Sequence, residues 1–353
     1  MAPLNWGIGH ASRCVPIINA LLLEGHEVIL ASDGQAKLFL EREFPQLSVL
    51  ELPSYYISYP KRGGLFVLHM LTLMPRIWKA IKREHTLLQS WMRRYEFDVI
   101  ISDNRYGMNS PNAKSVILTH QIKVATPLRE KLVAQQVYKM LRKFDEVWVP
   151  DNEGGLNLSG KLGHEDLFDI QPKYIGLLSR FTDLEKETQP ENFPFSTGFI
   201  LAVISGPEPM RTQLEMKLKE QLTYTNRKVV LVGGKLNEEL DEVNENLFYM
   251  PFASSSQLKW LMQNSSAIIC RSGYSTLMDL IALRKTAILV PTPGQTEQEY
   301  LGEYLQQHGI FVVQKQKTLD VNAALIELQK MEWNPQLDVL NNNQSLRQLL
   351  GKI

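Results

Sequence analysis

The stretch Ala267–Gly309 reads AIICRSGYSTLMDLIALRKTAILVPTPGQTEQEYLGEYLQQHG, and its order of apolar and polar segments decides the fold prediction. Two short apolar runs, Ala267–Cys270 and Thr286–Val290, predict buried strands. Between them, leucine and isoleucine recur at helical spacing, and a further helical pattern follows the second run. This alternation of strands and helices is typical of a parallel α/β sheet, whose ligands bind beyond the carboxyl ends of the strands.

Two polar loops follow these strands and would lie at that ligand-binding edge. The first, Arg271-Ser272-Gly273, leads into a helix that opens with Ser275 and Thr276, and the backbone amides of such an N-terminus favour a phosphate. The second loop carries a polar cluster, formed by Gln295, Glu297, Gln298 and Glu299. An ordinary βαβ unit with solvated charges is the alternative, but these two loops together exceed what such a unit requires.

These motifs resemble the donor-sugar half of the MurG-like glycosyltransferases, which belong to glycosyltransferase family 28 and have the GT-B architecture. The resemblance rests on the Cys-Arg-Ser-Gly run, a carboxylate on the following helix and the later Gln/Glu cluster. It implies that Asp279, where the family more often has Glu, holds the ribose of a nucleotide-sugar. It also implies that Gln298 and Glu299 hold the donor sugar, although MurG itself has Gln at the second of these positions.

The composition excludes several classes of protein. The 353 residues suffice for two domains, and 44% hydrophobic with 22% charged residues is typical of a globular protein. Because 38 Lys and Arg balance 38 Asp and Glu, no net field favours nucleic acid. Two cysteines far apart in sequence predict buried thiols in a reducing compartment. We find no secretory signal and no apolar run of the ~18 residues that a membrane span requires, so we expect a cytoplasmic protein.

The N-terminal loop, Asn5–Arg13, lies between a short strand and a helix that ends at Gly25. Its Gly-x-Gly-x-x-Ser pattern, with Asp33 after the next strand, keeps open a dinucleotide-binding interpretation in which the acid holds a ribose. The resemblance favours the other interpretation, in which Gly9 lies on the acceptor side and His10 matches the histidine of the GT-B loop. A histidine here is suited to general-base catalysis, whereas a helix-capping histidine is the structural alternative.

Two further polar segments follow predicted strands of the N-terminal half. Asp103, Asn104 and Arg105 come after the strand Phe97–Ser102, at the sheet edge where an acceptor could bind. His120 and Gln121 come after the next strand, at the place where MurG-like chains have a His-Glu pair in the acceptor cleft. The strand positions of the first three residues and the resemblance at the last two therefore predict that all five lie on the acceptor side.

Residues 61–94 differ from the rest in composition, with eight Lys or Arg against one acid. They include the apolar run Leu65–Met74, and Trp78 and Trp91 are interleaved with the bases. A basic amphipathic segment with tryptophans can lie on an anionic membrane surface, and MurG-like enzymes use a comparable patch to approach lipid-linked acceptors. A core helix pair with a solvated basic face is the alternative.

Three residues in the middle of the chain also match positions of the family. Arg180 follows Lys173–Gly176, which resembles the family's interdomain segment, whose arginine faces the donor diphosphate; a solvated linker arginine is the alternative. Gly206 lies in the turn after the predicted strand Ile200–Ser205, where the family has a glycine-containing turn. Phe252 follows a short strand at the place where the family's backbone contacts the nucleobase.

We therefore predict an α/β chain of GT-B architecture, with two Rossmann-like doubly wound domains that face a cleft. The predicted divisions are an acceptor-binding domain at 1–181, a linker at 182–197, a donor-binding domain at 198–330 and a tail helix at 331–353 that returns to the first domain.

The predicted function is that of an inverting glycosyltransferase, which moves a hexose or N-acetylhexosamine from a UDP-sugar to an acceptor hydroxyl, lipid-linked in the MurG-like case. His10 would be the base, while Arg180, Arg271 and the helix N-terminus at Ser272-Gly273 would stabilise the departing diphosphate. We expect no cofactor, since the nucleotide-sugar is a substrate, and no metal, since no cluster has metal-ligand spacing.

Three alternatives stay open at this stage. A nucleotide-sugar epimerase or hydrolase of the same fold would consume the donor with no acceptor present. A non-catalytic sugar-nucleotide-binding protein would be indifferent to loss of His10. An NAD-dependent oxidoreductase would depend on Gly7, Gly9 and Asp33. We expect peripheral contact with the inner face of a membrane through 61–94 and no nucleic-acid partner. The sequence does not indicate an oligomeric state.

Overall fold

The computed structural model describes the chain except for residues 57–65, 124–129, 165–168, 183, 185–186, 224–225, 236–240, 342–345, 347–349 and 352–353. It also leaves undescribed the side chains of residues 66–71, 130–133, 241–244 and 341. The described chain forms two compact units. The first lies within Met1–Ser58, Val67–Ser179 and Val339–Ile353, and the second is centred on Arg180–Asp338.

The first unit alternates helices and parallel strands. Its helices are α1 (Gly9–Leu23), α2 (Gly34–Glu43), α3 (Phe66–Trp91) and α4 (Glu130–Leu141). Its strands are β1 (Ala2–Pro3), β2 (Leu30–Ser32), β3 (Val49–Glu51), β4 (Val99–Asp103), β5 (Lys114–Leu118), β6 (Glu146–Val149) and β7 (Lys173–Tyr174). Five of them form a sheet in the order β1-β4-β5-β6-β7, and β2 pairs with β3. A backbone hydrogen bond of 2.9 Å from Ala31 N to Met1 O lies between β2 and β1.

The register of this sheet determines which polar residues meet at its carboxyl edge. Pro3, the last residue of β1, is paired with Asp103, the last residue of β4. The chain then turns into α1, which begins at Gly9, so the first turn of α1 lies beside the end of β4. Asp103 and His10 are therefore brought together although 93 residues separate them in sequence.

The second unit contains a larger sheet. Its helices are α5 (Met210–Leu222), α6 (Ser255–Asn264), α7 (Tyr274–Ala282), α8 (Thr296–Gln307) and α9 (Val321–Leu328). Its strands are β8 (Phe199–Val203), β9 (Val229–Val232), β10 (Asp241–Asn244), β11 (Leu247–Met250), β12 (Ser265–Cys270), β13 (Ile288–Leu289) and β14 (Val312–Val313). The strand order is β10-β11-β9-β8-β12-β13-β14, with β10 antiparallel to β11 and the other pairs parallel.

Side chains from both faces of this sheet are buried, as a parallel sheet covered by helices requires. One cluster packs the strands against α5 and α9 through fully buried aliphatic residues such as Leu214, Leu231 and Ala324. Because β8, β12 and β13 are adjacent and parallel, the loops that follow them share one edge of the sheet. These loops carry Gly206, Arg271–Gly273 and Pro291–Gln295.

The structure confirms most of the predicted elements and adds others. The bounds of α5, β6 and β11 coincide with the predicted Met210–Leu222, Glu146–Val149 and Leu247–Met250. The elements α2, β3, β10 and β14, most of which are short, are not predicted from the sequence. In α2 only three residues are buried, so its apolar stripe is too narrow to stand out in the sequence.

The basic segment is one long helix, α3, in its described part, and its tryptophans face the protein. Trp78 packs with Leu4 and Ile81, and Trp91 packs with the cluster around Leu88. Both tryptophans are partly buried, so they contribute to the core of the first unit, and membrane contact through 61–94 stays a prediction. Residues 61–65 of the predicted patch lie outside the described residues.

Candidate functional site

A compact polar cluster lies at the carboxyl edge of the first unit's sheet. The Nδ1 atom of His10 is 2.9 Å from Oδ1 of Asp103, and the His10 side chain retains 13% of its exposure. When Nδ1–H donates to the carboxylate, the lone pair of Nε2 is left to accept a proton. This is the arrangement of a general base with an orienting carboxylate.

Arg13 holds this cluster together from one turn further along α1. Its Nε donates to Asp103 Oδ2 at 2.6 Å, and its Nη2 donates to Asp103 Oδ1. Nη2 also lies 3.0 Å from His10 Nδ1, and Nη1 lies 2.7 Å from Nδ1 of His120. Since an arginine can only donate, His120 accepts through Nδ1. Arg13 and Asp103 are both almost fully buried, so each charge depends on the other.

The electrostatics of the cluster keep Asp103 ionised. Burial by itself would raise the pKa of this carboxyl, but the charge of Arg13 and the contact with His10 outweigh burial and hold the pKa well below its usual range. Burial and the same carboxylate raise the pKa of Tyr106 to about 12. A carboxylate that stays charged can orient an imidazole and stabilise it when it takes up a proton.

The other predicted acceptor-side residues lie near this edge in different settings. Gly9 opens α1, and its carbonyl accepts a hydrogen bond from the hydroxyl of Ser12. Asn104 is partly exposed, with a φ of 55°. Gln121 is also partly exposed, and its backbone N–H donates to the hydroxyl of Thr119 at 3.1 Å. The structure therefore brings His10, Asp103 and His120 together and leaves Asn104 and Gln121 at the periphery.

Arg105 differs from its predicted role. It is fully buried, donates to Glu84 Oε1 at 2.6 Å and to Pro3 O at 2.9 Å, and forms an ion pair with Asp33. A guanidinium with these partners stabilises the fold and has no free face for an acceptor. The prediction that Arg105 faces the acceptor is therefore wrong.

The same contact bears on the dinucleotide-binding interpretation. The carboxylate of Asp33 is bound by Arg105 and by Nδ2 of Asn5 at 3.0 Å, and Asp33 is 3% exposed. Asp33 also occupies the N-cap position of α2. An acid enclosed in this way cannot also bind the ribose of a cofactor. The dinucleotide-binding interpretation therefore lacks the residue that would bind the ribose.

Arg271, predicted to face a diphosphate, is fully buried as well. It donates to the carbonyls of Val290 at 3.0 Å and Met210 at 2.7 Å, and to Oε1 of Gln316 at 2.7 Å. Burial lowers its pKa to about 10, so the side chain is still charged at neutral pH. The arginine joins the carboxyl-terminal ends of β12 and β13 to the start of α5, and the prediction that it binds the diphosphate directly is wrong.

Arg180 and Asp279, in contrast, meet each other as the resemblance implied for two residues of one site. The Nε atom of Arg180 donates to Oδ2 of Asp279 at 3.1 Å, across 99 residues of sequence. Arg180 also stacks over the ring of Phe181, with 5.2 Å between its guanidinium carbon and the ring centroid. The helix that carries Asp279, α7, begins after Gly273, and Ser275 and Thr276 lie partly exposed in its first turn.

The loop between β13 and α8 contains the predicted sugar-binding residues. Oε1 of Gln298 accepts from the backbone N–H of Thr292 at 2.9 Å, and Oε1 of Glu299 accepts from Gly294 N at 2.8 Å. The hydroxyl of Ser272 donates to the carbonyl of Gln298 at 2.7 Å, which ties this loop to the start of α7. Gln298 and Glu299 thus brace the loop. Glu297 lies beside Glu299 in the first turn of α8.

Gly206 lies next to this loop, in a turn after β8. Its φ of +102° is in the region that favours glycine. A Cβ atom at this position would lie 3.3 Å from the Thr292 hydroxyl and 3.7 Å from Nε of Arg271. A ligand can therefore approach the backbone closely here. Phe252 is partly buried just after β11.

Sequence reasoning missed two residues of these sites. Arg13 lies one helical turn after His10, and Thr292 lies in the loop before the Gln/Glu cluster. The spacing of His10 and Arg13 at i and i+3 is the signal that could have placed both on one helix face. No sequence pattern indicates Thr292, because the feature that distinguishes it is the burial of its side chain in the folded protein.

Two further properties of the described residues bear on the type of site. Within the described ranges, no three His, Cys, Asp or Glu side chains come together as a metal-binding group. Among the helices described, none combines the length and the apolarity that crossing a membrane requires.

Comparison with known proteins shows what the C-terminal part of the chain resembles. Residues 210–347 match the glycosyltransferase family 28 C-terminal domain. An uncharacterized glycosyltransferase of Methanosarcina acetivorans is 24% identical over 335 residues, which cover 86% of this chain and 82% of the relative. The UDP-N-acetylglucosamine–N-acetylmuramyl-(pentapeptide) pyrophosphoryl-undecaprenol N-acetylglucosamine transferase of Caldanaerobacter subterraneus is 25% identical over 44% of this chain and 45% of its own.

Solved structures show the same architecture over the whole chain. The glycosyltransferase SnogD from Streptomyces nogalater has a TM-score of 0.61 at 15% identity and covers 99% of this chain and 97% of its own. A glycotransferase of kitacinnamycin has a TM-score of 0.63 at 15% identity, with coverages of 100% and 94%. The predicted GT-B fold is confirmed, and so is the resemblance of the second unit to family 28.

Proposed function

We propose that this chain, a protein of the GT-B fold with a glycosyltransferase family 28 C-terminal domain, is an inverting glycosyltransferase that uses a UDP-sugar. The observation that carries the proposal is the His10–Asp103 pair, with 2.9 Å between Nδ1 and Oδ1 in a cluster that is otherwise almost fully buried. A base of this type is what direct displacement at an anomeric carbon requires.

In the proposed reaction, Nε2 of His10 takes the proton of an acceptor hydroxyl while the acceptor oxygen bonds to the anomeric carbon. The bond between that carbon and the diphosphate oxygen breaks at the same time, and the nucleoside diphosphate leaves with the electron pair. Asp103 receives the Nδ1–H hydrogen bond and stabilises the imidazolium that forms. A single displacement from the opposite side inverts the configuration of the sugar.

The loops of the second unit are suited to the donor. α7 begins at the end of β12's loop, and the N-terminus of a helix favours an anion such as the departing diphosphate. Asp279 would accept the ribose hydroxyls, and the charge of Arg180, which pairs with Asp279, would stabilise the diphosphate. The name of the Caldanaerobacter relative, which includes UDP-N-acetylglucosamine, supports uridine and an N-acetylhexosamine.

The acceptor half of the proposal concerns α3. Its solvent side exposes four basic residues, Arg76, Lys79, Lys82 and Arg83. Because the tryptophans of this helix pack inward, contact of its described part with an anionic membrane would be electrostatic and would weaken with salt. The pyrophosphoryl-undecaprenol in the name of the same relative supports a lipid-linked acceptor and a location at the inner face of the membrane.

Donor binding is the first experiment. Thermal unfolding is measured with UDP, GDP, dTDP, NAD and a panel of nucleotide-sugars, for the wild type, for Asp279→Ala and for Asp338→Ala. Asp338 is the matched control, since it also pairs with an arginine, Arg284, at 3.0 Å. A ligand at a hundredfold its dissociation constant stabilises the folded state by about 2.7 kcal/mol, which is easily measured.

We expect UDP and one UDP-sugar to stabilise the wild type and Asp338→Ala, and to have no effect on Asp279→Ala. Stabilisation by NAD alone, or by no nucleotide, would overturn the proposal. Incubation of the bound UDP-sugar without acceptor then tests the reaction class. Rapid release of free sugar, or its conversion to an epimer, would indicate a hydrolase or epimerase of the same fold.

A further inference from the structure

Two buried polar atoms in the second unit have no hydrogen-bond partner. They are the Thr292 hydroxyl oxygen and the Gln295 side-chain carbonyl oxygen, and they are the only such side-chain atoms among the residues that the structure describes. Leaving a buried polar group unpaired destabilises a protein, and such groups are rare in folded proteins. Both atoms lie in one loop, three residues apart, so a common cause is indicated.

The rest of this loop is well bonded, so disorder of the loop is not that cause. The backbone N–H groups of Thr292 and Gly294 donate to the side chains of Gln298 and Glu299. The backbone N–H of Gln295 donates to Thr292 O at 3.0 Å, which closes the turn. The turn is held from within the chain, and only these two side-chain oxygens are left over.

The surroundings of Thr292 show where a ligand would approach. Thr292 is fully buried, and its hydroxyl lies 3.3 Å from the place that a Cβ atom of Gly206 would take. Any other residue at position 206 would crowd that hydroxyl. Because Gly206 has no side chain, the buried hydroxyl is bordered by backbone alone on that side.

We propose that Thr292 and Gln295 are specificity-determining residues that bind hydroxyl groups of the transferred sugar. The inference rests on the proposed function and names the sugar-contacting residues of its donor site. An amide oxygen such as that of Gln295 only accepts, so it requires an O–H or N–H donor, which a sugar ring supplies and an ionised diphosphate does not. The hydroxyl of Thr292 can donate or accept. Glu299, predicted to bind the sugar, instead braces the loop through Gly294.

The test compares two substitutions of threonine by valine. In Thr292→Val an unpaired buried hydroxyl becomes a methyl group, so we expect the ligand-free protein to be as stable as the wild type or more stable. In Thr223→Val, the matched control, a hydroxyl that donates to Lys219 O at 2.6 Å is lost, so we expect lower stability. Thermal unfolding without ligand measures both.

The second measurement is the ratio of the dissociation constants of UDP and of the UDP-sugar that stabilises the wild type most, by titration calorimetry. This ratio isolates the contribution of the sugar. We expect it to fall roughly three- to tenfold in Thr292→Val and in Gln295→Ala, as the loss of one hydrogen bond predicts, and to be unchanged in Thr223→Val.

The outcomes separate this inference from the function on which it rests. If the wild type binds neither UDP nor a UDP-sugar, the proposed function fails and this inference fails with it. If it binds both and neither Thr292→Val nor Gln295→Ala changes the ratio, the inference alone is overturned. A loss of affinity equal for UDP and the UDP-sugar would also overturn it, because the two residues would then contact the diphosphate.

Discussion

The His10 cluster of the first unit and the Thr292–Gln295 loop of the second differ in whether their buried polar groups have hydrogen-bond partners. In the cluster, His10, Arg13, Asp103 and His120 are joined by hydrogen bonds of 2.6 to 2.9 Å and by the Arg13–Asp103 ion pair. In the loop, two buried oxygens have no partner. The polar groups of the cluster are paired within the chain, whereas the loop leaves two buried oxygens unpaired.

The difference follows from what each region must bury. The cluster contains full charges, and an unpaired charge in a protein interior is far more costly than an unpaired neutral group. A hydroxyl or an amide oxygen can be left unpaired at a modest cost in folding free energy, and a ligand can then supply the missing hydrogen bond. A charged catalytic cluster is therefore expected to be preorganised, while a neutral recognition site can be completed by its substrate.

Removal of the cluster's central charge tests the comparison most severely. Arg13→Met leaves the buried carboxylate of Asp103 without its main partner, so we expect the free energy of unfolding to fall by about 3–5 kcal/mol. The control is Arg142→Met, whose pair with Asp169 is exposed to solvent and should contribute far less than the buried pair. Urea unfolding measures both, and similar losses in the two variants would contradict the view that the cluster is held by its buried ion pair.

Loss of the base affects the reaction and hardly affects the fold. His10→Ala should lower the rate of sugar transfer roughly a hundredfold or more, the usual contribution of a general base, with the affinity for the donor unchanged. Steady-state rates with the identified UDP-sugar and an acceptor provide the measurement. Transfer at the wild-type rate would show that His10 has only a structural role.

The low pKa of Asp103 predicts how the cluster responds to acid. Its pKa is depressed in the folded state, whereas in the unfolded chain it is near the ordinary ~3.9. The carboxylate therefore stabilises the fold fully above that ordinary value, and the contribution disappears as the pH falls toward the folded-state pKa. We expect wild type and Asp103→Asn to differ most in unfolding free energy at neutral pH and to converge below about pH 4. A constant difference across the acid range would contradict this.

The smallest expected effect concerns the brace of the loop. Glu299→Ala removes the hydrogen bond to Gly294 N from an exposed side chain, so we expect the unfolding free energy to fall by about 1 kcal/mol or less. The ratio of affinities for UDP and the UDP-sugar should change less than in Gln295→Ala. A larger change than in Gln295→Ala would return the sugar-binding role to Glu299.

The amino-acid sequence by itself determined the succession of strands and helices and the family resemblance of the second unit. The bounds of α5 and β11 could be predicted because apolar spacing and turn residues act over a few positions along the chain. Asp103 could be chosen because the end of a parallel strand is recognisable from a local pattern, whereas His10 and Asp279 could be chosen only through the family resemblance.

Only the tertiary structure decided what each polar residue contacts. Arg105 and Arg271 carry the same charge as the predicted ligand-binding arginine Arg180, yet both are fully buried among partners distant in sequence. The pairing of His10 with Asp103 depends on the register of β1 against β4, and the unpaired oxygens of Thr292 and Gln295 depend on what the surrounding loops leave uncovered. Such contacts are set by the packing of segments that are far apart in the chain, about which a local pattern carries no information.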